Sequence, residues 1–342
     1  MPFSEILGQD RAVGALRAAL RRGALHHAYL FAGPGGVGKA AAARLLAQAA
    51  NCDGGVPGEA CGACVPCRKI ARGVHPDVLW VEGERAMARA GRWEPKGGRA
   101  PSRDIVVDQV RELVDRGLSL RRFEGRWRFV VLDPADAMNV QAQNALLKTL
   151  EEPPPDTTLV LVSSSADALL PTIRSRCLRV GFAPLPAALV EERLVAAGRP
   201  AGEARLAASL AGGSLGHALA LDAQALSERR AAVERAARLP PDDAAAWIAF
   251  ARERAADREA ARETCELLLV WLRDVLVRAV AGDGAALALA DLAPVTAAAA
   301  ARIGPGGALR RGDAVRGALA ALRHNAGPAL ALERMLIGWF RG

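Results

Sequence analysis

Four short apolar runs punctuate the first half of the chain: His27-Ala28-Tyr29-Leu30-Phe31-Ala32, Asp77-Val78-Leu79-Trp80-Val81, Arg128-Phe129-Val130-Val131-Leu132-Asp133 and Thr158-Leu159-Val160-Leu161-Val162. Each is short and almost continuously apolar, the pattern of a strand buried on both faces of a parallel sheet. Between them lie helical patterns: Ala-rich sequence from Lys39 to Ala50, apolar positions at helical spacing from Val106 to Leu118, and Gln141 to Leu150, stopped by Pro153-Pro154-Pro155. Strands alternating with helices predict an α/β fold with a parallel sheet covered on both faces. The stretch from Gly83 to Arg103 is rich in Gly, Pro and Arg and reads as a flexible excursion. Near Pro184-Leu185-Pro186 the character changes, and from there on the chain reads as helices only, with Pro240-Pro241-Asp242-Asp243 as a cap before another helix. The expected domains are therefore 1–183, 184–240 and 241–342.

Composition narrows the reading only a little. At 342 residues, half of them apolar, the chain can bury two or three cores. It contains no run of eighteen apolar residues, so no membrane span or membrane partner is expected. The segment Met1 to Gly14 carries Glu5 and Asp10 and has no secretory apolar region, so a cytoplasmic location is expected. A net charge of +8 permits contact with nucleic acid without demanding it. Lysine is scarce, with four against 41 arginines, which makes the position of each lysine informative.

One of the four, Lys39, closes Gly33-Pro34-Gly35-Gly36-Val37-Gly38-Lys39-Ala40, between the first apolar run and a helix. Strand, glycine loop and helix is the context of a phosphate-binding loop, in which backbone N–H groups and the lysine hold phosphates and a following Ser or Thr holds Mg²⁺. Gly33, Gly35, Gly36, Gly38 and Lys39 are in place, but Ala40 has no hydroxyl. Asp133 supplies the acidic strand end that would help hold the metal. The next residue is Pro134, whereas hydrolysing relatives of this architecture usually carry a Glu that polarises the attacking water. Proline offers no proton acceptor, and Asp136, two residues further on, is a poor substitute. Phosphoryl transfer depends on positioning and charge stabilisation, so the reading is a degenerate nucleotide site without hydrolysis by this chain alone. Whether ATP or ADP still binds at Lys39 stays open.

Cys52, Cys61, Cys64 and Cys67 follow a C-x8-C-x2-C-x2-C spacing among turn-forming glycines and prolines. Four thiolates so spaced can close a tetrahedral, structural Zn²⁺ site. Disulfides or a redox C-x-x-C are the competing readings, and a reducing cytoplasm disfavours the first.

Asn144-Ala145-Leu146-Leu147-Lys148-Thr149-Leu150-Glu151-Glu152-Pro153-Pro154 and Ser175-Arg176-Cys177 resemble the hallmarks of bacterial clamp-loader subunits of the AAA+ class. Ile6-Leu7-Gly8-Gln9, His27 to Phe31 and the four-cysteine insert after the phosphate-loop helix match the same family. The likeness is strong from residue 3 to about 220, and Asn325 to Glu333 is similar to the family's helical C-terminal domain. The resemblance implies an AAA+ domain, a small helical lid and an all-α collar. Its implied partners are motor subunits (gamma or tau), a delta subunit and, through the complex, a sliding clamp and primed DNA. A motor subunit would keep Thr after the loop lysine, Glu after the acidic strand end, and an Arg in the lid where Gly213-Ser214-Leu215-Gly216-His217 places Gly216. Three departures imply a non-hydrolysing stator. The resemblance gives Arg176 the role of an arginine finger acting in trans on a neighbour's ATP, with Arg174 as its nearest rival. It places a polar nucleotide sensor at Ser164 and Ser165. An active motor ATPase and a zinc-based nucleic-acid binder remain the alternatives. Nothing in the sequence supports polymerase chemistry.

Overall fold

The computed structural model describes residues 3–118, 121–323 and 326–341. The chain forms two compact units, Met1–Pro186 and Ala187–Gly342. In the first, five strands form one parallel sheet: β1 (Ala28–Ala32), β2 (Val78–Val81), β3 (Arg128–Leu132), β4 (Thr157–Ser163) and β5 (Leu178–Gly181), in the spatial order β2-β3-β4-β1-β5. Every residue of β1, β3 and β4 is buried, as expected for strands with helices on both faces.

The strand period of two sorts these side chains into two cores. Tyr29, Phe31, Phe129, Val131, Val160 and Val162 point to one face, where they meet Val13 and Leu16 of α1 (Asp10–Arg21) and Leu45 and Leu46 of α2 (Lys39–Ala50). Leu30, Val130, Leu132, Leu159 and Leu161 point to the other, against Val110 and against Leu146 and Leu150 of α3 (Val140–Glu151). The Asn139 side chain caps α3 by accepting the Ala142 N–H at 2.8 Å, which satisfies one of the orphan donors of the first turn.

Two departures from the sequence reading have physical causes. β5 carries no apolar run, because only Val180 of its four residues is buried, so hydropathy alone does not reveal this edge strand. The stretch from Gly83 to Arg103, expected to be a flexible excursion, is folded around one carboxylate. Glu84 is fully buried and accepts Trp93 Nε1–H at 3.0 Å, both ends of the Arg99 guanidinium at 2.6 and 2.7 Å, and the Ser102 N–H at 2.8 Å. Burial pushes its pKa up, but those donors outweigh burial and hold it below the ordinary Glu value. Glu84→Ala leaves these donors unmatched and destabilises the unit by about 3 kcal/mol. Because the folded-state pKa is the depressed one, the stabilisation is complete above the unfolded value of about 4.3 and is lost as pH falls through the folded value. Thermal melts of wild type and Glu84→Ala should therefore differ at pH 7 and converge in acid. An equal gap at both ends would contradict this assignment.

The second unit, among the described residues, is helical throughout. Its core gathers Phe250, Leu268, Trp271, Val275, Leu332 and Leu336. Asp243 caps the helix Ala244–Arg254 by accepting the Ala246 N–H at 2.9 Å. Buried Asp274 pins the loop that follows its own helix, accepting the Ala288 and Leu289 N–H groups at 3.0 and 2.7 Å. Cys265 lies in this core, and burial pushes its thiol up to about 12. Of the motif from Asn325 to Glu333, Asn325 lies outside the described residues, and Pro328 begins the last helix, Pro328–Arg341. Among the described residues no helix is long and apolar enough to cross a membrane.

Candidate functional site

β1 runs straight into the glycine loop, and α2 begins at Lys39. Gly33 is irreplaceable on steric grounds, since a Cβ there would sit 2.1 Å from the Phe182 carbonyl oxygen. Gly38, at φ 100°, turns the chain into α2 from the left-handed region. Lys39 is buried, and its Nζ donates to the carbonyls of Gly33, at 2.6 Å, and Pro34. Burial lowers its pKa, while Asp133 and Asp136 pull the other way. Asp133, at the end of β3, is pushed up to about 6, first by burial and next by the charge of Glu82, with Lys39 opposing. Lys39 and Asp133 thus share one cleft with Ala40, Pro134 and Ser164, at the carboxyl ends of the strands where open α/β sheets bind ligands.

The geometry defines what this cleft can do. A phosphate entering it would have to win Lys39 from two carbonyl acceptors. Ala40 presents a methyl group where a metal-holding hydroxyl would lie. Asp136 already accepts two hydrogen bonds from Ser164, from N–H at 3.1 Å and Oγ–H at 2.9 Å. The weak substitute base and the expected sensor are therefore partners of each other, a pairing that their separation in sequence hides. Ser165 instead donates its N–H to Ser163 Oγ at 3.1 Å. In the second unit, Ser214 caps the helix Leu215–Ala220 by accepting the His217 N–H at 3.0 Å, and Gly216 contributes no side chain there.

Arg176 lies at the other end of the sheet. It follows the short helix Pro171–Arg174 and precedes β5, and Tyr29 of β1 pairs with Leu178 of β5. Arg176 is thus level with the start of β1, about six strand residues or roughly 20 Å from the phosphate loop. Its Nη1 donates to the Thr172 carbonyl at 2.9 Å and its Nη2 to Glu151 Oε1 at 2.7 Å. The ion pair is partly exposed on both sides and lines a surface groove with His26, His27 and Ser175. Arg174 is paired with Asp167 at 2.6 Å. Cys177 is half-buried, with its thiol pushed up to about 12 by burial.

The four cysteines converge. Their sulfurs all lie within 4.8 Å of one another, close to the roughly 3.8 Å edge of a tetrahedron with 2.3 Å metal–sulfur bonds. The 4.0 Å between the sulfurs of Cys52 and Cys64 is far from a disulfide bond length, and all four thiols are free. Backbone N–H groups of Cys64 and Ala63 point at Cys61 Sγ at 3.3 and 3.4 Å and lower its pKa to about 6, preparing the thiolate that metal binding requires. Burial pushes the Cys67 thiol the other way. Gln48 of α2 donates Nε2–H to the Cys67 carbonyl at 2.7 Å and so ties the cluster to the phosphate-loop helix. Gly55 keeps the loop tight, because a Cβ there would lie 2.9 Å from Cys52 Sγ. A closed set of four sulfurs, two of them buried, can hold a metal ion.

The chain is similar to subunits of DNA polymerase III. A family model described as DNA polymerase III, delta subunit matches residues 8–186. The chain is 40% identical over 210 residues to DNA polymerase III subunit delta' of Pseudomonas aeruginosa, covering 60% of this chain and 59% of that protein. It is 35% identical over 231 residues to subunit tau of Escherichia coli, covering 66% of this chain and 33% of that one. The matches thus span less than two thirds of either relative's length. Among solved structures, a gamma subunit-related protein of Thermotoga maritima covers 96% of this chain and is itself covered to 99%, at 17% identity and a TM-score of 0.45.

Proposed function

The chain belongs to the DNA polymerase III delta-subunit family, and we propose that within it the protein acts as a delta prime subunit, the non-hydrolysing stator of a clamp loader. The observation that carries this reading is the family match over residues 8–186 of the α/β unit, joined to a cleft in which Ala40 and Pro134 replace the metal-holding and water-polarising groups. In this role it assembles in the cytoplasm with gamma or tau motor subunits and a delta subunit. The complex opens a sliding clamp and closes it on primed DNA.

Arg176 serves a neighbouring ATP site in trans. Its distance along the sheet from the chain's own phosphate loop supports this, since roughly 20 Å is beyond the reach of an arginine side chain. At a neighbour's γ-phosphate, its guanidinium would stabilise transition-state charge. Asp133, Lys39 and the loop glycines form a degenerate nucleotide cleft in which Ala40 and Pro134 offer neither a metal-holding hydroxyl nor a base, so its task is structural rather than catalytic. Residues 184–240 act as the lid and 241–342 as the collar domain. Cys52, Cys61, Cys64 and Cys67 hold a structural Zn²⁺, which braces the insert against α2.

A drop-out reconstitution tests the assignment. Clamp loading onto primed DNA by delta and gamma or tau should need this chain, and the chain should co-elute with them. Loading at the full rate without it would overturn the reading.

A further inference from the structure

An arginine that acts on a neighbour's substrate is effective only if it is ordered before the substrate arrives. Arg176 sits on a partly exposed turn after a four-residue helix, a weak anchor for a long, flexible side chain. Three contacts compensate, two to carbonyls of that helix and one from another element. The backbone N–H donates to the Ile173 carbonyl at 3.1 Å. Nη1 donates to the Thr172 carbonyl at 2.9 Å, and Nη2 donates to Glu151 Oε1 at 2.7 Å. Among the described residues the charged partner of Arg176 is Glu151, the last residue of α3, which couples the turn to a helix packed on the sheet.

We propose that Glu151 is a positioning residue for Arg176, aiming its guanidinium out of the groove for the anion of a neighbouring subunit. The inference rests on the trans role of Arg176 given above. An arginine has five N–H donors, and two are used here, so the held side chain still has donors for a phosphate. The carboxylate is half-exposed. Such a pair is weak, so it orients the arginine without trapping it, and a phosphate carrying more charge in a drier interface can take the arginine over.

The test is single-turnover ATP hydrolysis by the assembled loader with clamp and primed DNA, using Glu151→Ala, Glu151→Gln, Arg176→Ala and the double variant. Glu151→Ala should lower the rate at saturating ATP about threefold, the scale of one exposed ion pair, with KM for ATP unchanged. Glu151→Gln, whose amide oxygen still accepts, should fall between it and wild type. The double variant should match Arg176→Ala alone. Wild-type rates for Glu151→Ala in a loader that Arg176→Ala impairs would overturn this inference and leave the finger standing. So would a rate increase, a further drop in the double variant, or a defect confined to complex assembly. An Arg176→Ala loader with an unchanged rate would remove both.

Discussion

On the proposed trans role of Arg176, its replacement by alanine should lower hydrolysis at the neighbouring ATP site by about a thousandfold, the lower end of what arginine fingers contribute. The fold should survive. The side chain is partly exposed, and its two side-chain hydrogen bonds are to a surface carboxylate and a helix-end carbonyl, so neither leaves a buried group unmatched. Arg174→Ala is the control: Arg174 is engaged by Asp167 and sits at the end of the preceding helix, and its loss should leave hydrolysis within about twofold. The rates are read by rapid-quench single-turnover assays of the assembled loader. A large defect with Arg174→Ala and none with Arg176→Ala would exchange the two roles.

On the proposed zinc site, Cys67→Ser should empty the metal site and unfold the insert. Cys67 is fully buried beside α2, and a serine oxygen is a poor replacement for a thiolate in a four-sulfur site. Coupled binding and folding at such sites is worth about 10 kcal/mol, far more than this small cluster of Cys52, Ala60 and Cys67 can supply by burial. Zinc should fall from about one per chain to none, and residues 52–71 should become sensitive to protease while the sheet keeps its protection. Cys177→Ser should keep its metal. Metal analysis and peptide-resolved hydrogen exchange check both halves. Full protection of the insert in metal-free protein would show that the cysteines pack without a ligand.

The legible parts of the fold were those set by local pattern. β1, β3 and β4 are buried on both faces, so their apolar runs stand out, and the glycine loop and cysteine spacing carry their chemistry within a few residues. What stayed hidden depends on pairs distant in sequence. Ser164 meets Asp136, and Glu151 meets Arg176, across 28 and 25 positions. Glu84 organises a stretch whose glycines and prolines read as loose, because composition reports backbone freedom and not the buried acceptor that removes it. β5 escaped because an edge strand with one buried residue has no hydropathy signature.

The most direct test of a stator that completes its neighbour's site is ATP turnover by the purified chain, alone and then assembled with motor and delta subunits, clamp and primed DNA. The expected result is none from the chain alone and turnover in the assembly that depends on Arg176. Robust turnover by the isolated chain, abolished by Lys39→Ala, would mean that the cleft of Lys39 and Asp133 is itself a working motor site.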